Sequence, residues 1–322
     1  MTMFAKLGAA AALTAALAIA PITSALAQKG PEGFPSKPVE LLTYTDPGTS
    51  IDLTLRALAP LLSADIGQPT VVVNRPGGNG TNAMTYLTRR PADGYTLYGH
   101  TTTFSSVMAQ KVGGFTGEEV DYLCAMVAEP MAVTVRADSP FKDIAELVAF
   151  AKANPGKLRA SGGAGAGSYP RLFAMAFQEK AGVEITWVPF DSSPEGRRAL
   201  LGGDLDLLFT SVGAVEGARM LAITSAKRFS YAPDTPTLAE AGFDIGDRVA
   251  WRGLMVRAGT PEPVKAYLIE ALKRAAAKPE WEKFLTSIGA GGTMLCGDDF
   301  AKAARAEIEE TKVWYKKLGI ID

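Results

Sequence analysis

The 322-residue sequence holds one histidine, His100, and two cysteines, Cys124 and Cys296. One histidine cannot supply a zinc site of two or more imidazoles, and the cysteines stand too far apart for a C-x-x-C pairing. Soft-ligand metal catalysis is thereby removed, and no metal or other cofactor is expected. There is no G-x-S-x-G elbow for a serine hydrolase. The stretch SGGAGAGS, Ser161 to Ser168, misses the dinucleotide spacing G-x-G-x-x-G by one place and lacks a P-loop lysine. Basic residues are not in excess: 33 Lys and Arg stand against 34 Asp and Glu, which leaves no field to hold nucleic acid. Asp52, Asp191, Asp204 and Asp206 form no pair that spacing marks as acid and base. Asp52 reads as a first-turn charge that balances a helix dipole and pairs with Arg56, so Arg56→Ala is expected to matter little for a ligand.

Long apolar runs are missing except at the start. Residues 1–27 carry one lysine, an apolar run from Leu7 to Ile19 and the small-x-small ending Ala25-Leu26-Ala27, the pattern of a secretory signal cleaved after Ala27. The run falls short of the roughly 18 to 20 apolar residues that a spanning helix needs. No cysteine stands at the cleavage point, so a lipid tether is not expected. The remaining 295 residues suit two lobes, each with its own core. In an oxidising compartment Cys124 and Cys296 either form a bridge or stay as two buried thiols, and sequence supplies no distance to decide.

Past a Pro-rich entry, short apolar runs alternate with stretches of helical period, which argues an α/β fold with largely parallel sheets. Strands are expected at Val39 to Tyr44, Thr70 to Val73, Thr96 to Gly99, Leu123 to Val127, Met131 to Val135, Ile185 to Val188, Leu205 to Phe209, Met220 to Thr224 and Arg252 to Val256. The first helix, from about Ile51 to Ile66, places Ile51, Leu55, Leu58 and Leu62 on one face, with Gly67 as its stop and Pro60 as a bend. Further helices are expected near Thr81 to Arg90, Ile144 to Asn154, Tyr169 to Ala181, Pro194 to Leu201, Pro261 to Lys278 and Asp298 to Leu318.

Three segments share one design, a glycine-bearing turn followed by hydroxyl or amide residues where a helix begins: Asp46 to Ser50, Asn74 to Asn82, and Ser161 to Tyr169. Glycine lets backbone approach a ligand closely, and the unpaired N–H groups of a helix start favour an anion. Each segment is equally a capped strand-to-helix turn, as Thr81 and Ser168 would cap any helix. His100 is the one side chain able to change charge near neutral pH, although a packed imidazole is the commoner case. Trp187 and Trp251 suit stacking on an aromatic ligand, but tryptophans at strand ends are more often core.

The pieces FPSKPVELLTY, RALAPLLSADIGQPTVVVNRPGGNGT, RRPADGYTLY, GDLDLLF, LAITSAKR, PTLAEAGF and RGLMVRAGTPEPV stand here in one order and spacing. Over nearly the whole mature length the chain resembles the periplasmic solute receptors of tripartite tricarboxylate transporters, the Bug family. The resemblance implies a type II periplasmic binding protein, two α/β lobes joined by two crossover segments with a ligand cleft between them. Lobe I would take residues 28–128 and 250–322, and lobe II residues 129–249. It implies a monomeric receptor that binds a small organic carboxylate and delivers it to integral-membrane permease subunits, with no chemistry performed. A ligand-sensing receptor for a membrane signalling kinase, or an enzyme on the same fold, stays open beside it.

Carried over by this resemblance, one ligand carboxylate would meet Pro47, Gly48, Thr49 and Ser50 on the first turn and Asn79, Gly80 and Thr81 on the second, largely through backbone N–H groups. Thr101 and Thr102 follow the strand of DGYTL. Ser161, Gly165, Ser168 and Asp191 would contribute from the second lobe. Thr210 stands where the family often has Asp, which removes a charge able to meet an amino group. The family's PGGG reads PGTS here, so Thr49 and Ser50 add side chains. Gly80→Val is expected to weaken binding and leave the fold intact.

Overall fold

The computed structural model of the chain describes residues 30–162, 168–190, 193–212, 215–229, 232–246 and 248–322. Strand β1 (Val39–Thr43) runs into the turn that opens α1 (Ser50–Ile66), followed by β2 (Thr70–Asn74), α2 (Thr81–Arg89), β3 (Thr96–Thr101), α3 (Thr103–Ala109) and β4 (Val120–Arg136). Next come α4 (Ile144–Ala153), β5 (Arg159–Ser161), α5 (Tyr169–Ala181), β6 (Thr186–Trp187), α6 (Ser193–Gly202), β7 (Leu207–Ser211) and β8 (Ala218–Ile223). The chain closes with β9 (Val249–Arg257), α7 (Glu262–Ala276), α8 (Pro279–Ser287), β10 (Gly291–Cys296) and α9 (Asp298–Lys317). The expected signal, residues 1–27, lies outside the described residues.

Helix α1 forms where the apolar spacing places it. Ile51, Leu55, Leu58 and Leu62 are each at most 1% exposed, and Gly67 ends the helix at φ 69. Burial of each such side chain contributes about 1.5–3 kcal/mol. The helix runs on through Pro60.

The two runs expected at Leu123–Val127 and Met131–Val135 are one 17-residue strand, β4. Its first part pairs with β9 and β10, and its second part with β7 and β8. Pro130 stands at the changeover, opposite Val249, where a residue without an N–H is tolerated because the ladder changes partners there. The strand order is β2-β1-β3-β9-β4-β7-β5-β6, with β10 and β8 also on β4. The expected largely parallel pairing is corrected by these central strands. β1 pairs parallel with β2 and β3, and β5 with β6 and β7, but β4 and β9 run antiparallel to all their neighbours.

Each half of this path packs its own core, around Leu41, Leu55 and Leu272 in one and Val133, Phe177 and Phe209 in the other. The result is the two-lobed α/β architecture. Helix α9 starts beside the first sheet and reaches the second half, where Trp314 and Tyr315 meet Leu172 and Ala176 of α5 and Ala109 of α3. Cys124 and Cys296 face each other in the β4–β10 ladder, with Cα atoms 4.1 Å apart, and form a disulfide. The ladder brings together two residues that sequence could not place. Among the described residues no helix is long and apolar enough to cross a membrane.

Candidate functional site

Parallel strands β1, β2 and β3 end together, and two of the three turns singled out in the sequence, together with Thr101 and Thr102, follow those ends. Pro47 to Ser50 lead into α1, Asn79 to Thr81 into α2, and Thr101 to Thr102 into α3. In the second sheet Ser161 ends β5, Ser168 precedes α5 and Thr210 lies near the end of β7. Thr210 pairs with Ala132, two residues beyond Pro130, while Thr101 pairs with Arg252 on β9. Both sets of strand ends therefore lie at the level where β4 passes between the sheets. Gly165 and Asp191 lie outside the described residues.

The amides of these turns are not all open. Pro47 has no N–H, and Gly48 donates its own to Asp52 Oδ2 at 2.8 Å. The Gly80 amide reaches Gly77 O at 3.1 Å, and that of Thr81 reaches Gly78 O. Gly48, Gly80 and Thr81 are thus corrected as main-chain donors to a ligand, because each closes its own turn. No protein acceptor meets the amides of Thr49, Ser50 and Ile51 among the described residues. They form the open head of α1. The Thr49 hydroxyl is held by Asp46 O at 3.0 Å and Thr45 Oγ1 at 2.5 Å, whereas the Ser50 side chain is exposed.

Asp52 explains the shape of the first turn. Its carboxylate is fully buried and accepts from Gly48 N, from Arg56 Nε at 2.8 Å and Nη2 at 3.0 Å, and from Asn74 Nδ2 at 2.9 Å. Burial disfavours its charge, yet the Arg56 guanidinium, the Gly48 amide and the Asn74 amide hold its pKa at about 2. The Asp52–Arg56 pair is present as expected, but it fixes the Gly48 turn.

Beyond the turn stands Tyr44, which sequence reasoning missed. Its hydroxyl meets Thr101 Oγ1 at 3.0 Å and Thr103 Oγ1 at 2.8 Å, and its ring stacks on His100 with centroids 3.8 Å apart. His100 is 1% exposed, and its Nδ1 lies 2.8 Å from Thr101 N and 3.0 Å from Thr101 O, so the backbone of Thr101 can serve either tautomer of the ring. Burial lowers its pKa to about 3, so it stays neutral at the pH where sequence had left a charge change open. Gly80 sits over this imidazole and over Tyr98 Oη, a buried hydroxyl with no partner among the described residues. Its φ of +96° is a left-handed conformation that β-branched residues resist. Gly80→Val would strain the turn itself, contrary to expectation.

The capping role expected of Thr81 and Ser168 is not seen. Gly80 is the N-cap of α2, and Ser168 caps α5 with no side-chain hydrogen bond. Thr102 donates its amide to Trp251 O at 3.2 Å and opens α3. In the second sheet the Ser161 and Ser168 hydroxyls are buried and have no partner among the described residues. Trp251 packs on Phe300 and donates Nε1 to Glu307, so its ring serves the core. Trp187 is stacked beside Phe209, with centroids 6.4 Å apart, and carries the Arg171 guanidinium 4.8 Å from its ring centre. Among the described residues no group of three or more His, Cys, Asp or Glu could hold a metal ion.

Comparison with known proteins agrees with this architecture. A protein of Cupriavidus necator named "UPF0065 protein in gbd 5'region" is 30% identical over 316 residues, covering 96% of this chain and 95% of that one. A solved TctC solute binding protein from Polaromonas, without ligand, superposes with a TM-score of 0.81 at 27% identity, over 88% of this chain and 99% of that one. The periplasmic binding protein BugD gives 0.65 at 25% identity, over 89% and 99%. A protein of R. palustris solved with adipate gives 0.67 at 27% identity, over 89% and 98%. The profile described as "Tripartite tricarboxylate transporter family receptor" matches residues 54–320, and the chain belongs to that family of periplasmic solute-binding receptors.

Proposed function

We propose that the chain is exported, cut after Ala27, and takes one small organic carboxylate between lobe I (28–128 and 250–322) and lobe II (129–249). The closed monomer then hands the solute to the integral-membrane permease subunits of a tripartite transporter. No bond is made or broken. The observation that carries this reading is the set of neutral donors at the first sheet's strand ends. The open amides of Thr49, Ser50 and Ile51 stand at one of these ends, and the Tyr44, Thr101 and Thr103 hydroxyls meet at the next. The acid beside them, Asp52, is already enclosed by its own donors. Such donors favour an anion without a fixed counter-charge. The R. palustris protein solved with adipate supports a carboxylate.

On this reading Ser50, Thr101 and Thr102 meet the solute from the first lobe, and Ser161, Ser168 and Thr210 from the second. Closure is a hinge rotation about the crossing segments of β4 and β9. A thermal-shift panel of di- and tricarboxylates and aromatic acids on the mature protein tests it. A solute at 100 times its Kd adds about 2.7 kcal/mol of stability. A panel in which no acid raises the melting temperature overturns the reading.

A further inference from the structure

A cavity of about 350 Å³ lies where helix α9 passes the crossing, between that helix, the head of β9, strand β10 and the first residue of α5. None of the residues given to the solute above lines it, so it is a second concavity and not part of that site. Its walls are mostly apolar: Ile245, Val249, Trp251, Leu295, Phe300 and Ala304 face it. Leu295 is 38% exposed, a large side chain that the fold leaves partly uncovered here. Gly246, Ala303 and Ala306 line the same space and are exposed, which marks its mouth.

Two carboxylates of α9, Glu307 and Glu310, stand in this wall with one cation, Arg248. That cation is already committed. Its Nε donates to Ile245 O at 2.9 Å, and both terminal nitrogens go to Glu310. Glu307 accepts from Trp251 Nε1, but no lysine or arginine forms an ion pair with it among the described residues. Ser105 of α3 and Tyr122 of β4 also face it, and neither brings a positive charge. Arg305 of the same helix is exposed and lines a different concavity. Burial pushes the Glu307 pKa up to about 7, with the Glu310 charge adding to the rise, against the pull of Trp251, Ser105 and Arg248.

A carboxylate without a counter-charge, set in an apolar chamber, fits one class of occupant. Water can hydrate its oxygens, but water brings no charge and leaves Leu295 wetted. An acid does not fit, because Arg248 is taken and two carboxylates already stand in the wall. A hard metal ion needs several oxygen ligands, and most of this wall is carbon. A primary ammonium donates up to three N–H groups and supplies the missing charge, while its hydrocarbon body covers the apolar side.

We propose that this cavity is a second binding site, for a small organic ammonium whose charged end meets Glu307 and whose apolar body lies against Leu295, Val249 and Ile245. The site shares no residue with the solute turns. Its occupant touches α9 and the head of β9 together, the two elements that Glu307 and Trp251 already tie to each other.

Calorimetric titration of the mature protein with phenethylamine, beside 2-phenylethanol as its neutral counterpart, tests the assignment. The amine binds, and the alcohol binds at least about 10-fold more weakly. At pH 6.5, in buffers of different ionisation enthalpy, amine binding releases roughly half a proton, as Glu307 gives up its own to meet the ammonium; at pH 8.5 it releases close to none. Glu307→Gln loses about 30-fold in amine affinity, about 2 kcal/mol, and releases no proton. Ala303→Phe, at an exposed position of α9, fills the mouth and abolishes binding while the protein melts like the wild type. A Glu307→Gln protein that holds the amine as tightly as the wild type overturns the site. So does a wild type that takes the alcohol equally well or binds neither probe. The receptor reading is decided separately, by the acid panel.

Discussion

Trp251 Nε1 donates to Glu307 Oε2 at 2.6 Å and ties the return strand β9 to the middle of α9. One turn further along α9, Glu310 takes both terminal nitrogens of Arg248, at the start of the same crossing. Two carboxylates of one helix therefore hold the segment about which the lobes would turn.

Glu307 makes this contact sensitive to pH. Burial, against the opposing pull of the Trp251 N–H, raises its pKa from 4.5 to about 7. A folded value above the unfolded one means that its share of stability is fully present below the unfolded pKa and is lost as pH rises through about 7. Glu307→Gln keeps an acceptor and cannot ionise. At pH 8 the variant should melt about 2–4 °C above the wild type, and by pH 5 the difference should close. Melting curves at the two pH values check this, and a variant less stable at pH 8 would contradict it.

Asp52 has the opposite sign. Its folded pKa of about 2 lies below the model-compound value of 3.8, so its stabilisation is present above about 4 and lost as pH falls toward 2. Asp52→Asn should lower stability by about 2–3 kcal/mol at pH 7 and by much less at pH 2.5, because a buried charge pair is broken only where it exists. Urea unfolding at both pH values reads this directly. The Gly48 turn loses its anchor in the variant, so ligand affinity should fall as well.

Gly80 separates space from conformation. A Cβ there would meet His100 Nε2 and Tyr98 Oη at 3.5 Å, an ordinary contact, but φ is +96°. Gly80→Ala should therefore cost about 1–2 kcal/mol through backbone strain alone, and Gly80→Val more. Equal stability of the alanine variant and the wild type in urea would show that the turn relaxes freely.

Local pattern carried the helices well. The bounds expected for α5, Tyr169 to Ala181, are those observed, and α1 differs by one residue at its start. Apolar period and glycine stops act within a few residues, and sequence displays them. Strand β10 was missed because GGTMLC has two glycines and little alternation; its place depends on pairing with β4. Helix α3 was missed because it begins in TTTFSS, where hydroxyl residues leave little apolar period to read. The turns of the site were legible as turns, and their occupancy was not. That Gly48 serves Asp52 follows from a buried network reaching Asn74.

The Cys124–Cys296 bridge, 172 residues apart, encloses β5, β6, β7 and β8 within one covalent ring that closes on the first sheet. A protease that nicks an exposed loop of the second half opens the ring without releasing a fragment. In an oxidising compartment, where the bridge persists, the two sides of such a cut stay covalently joined.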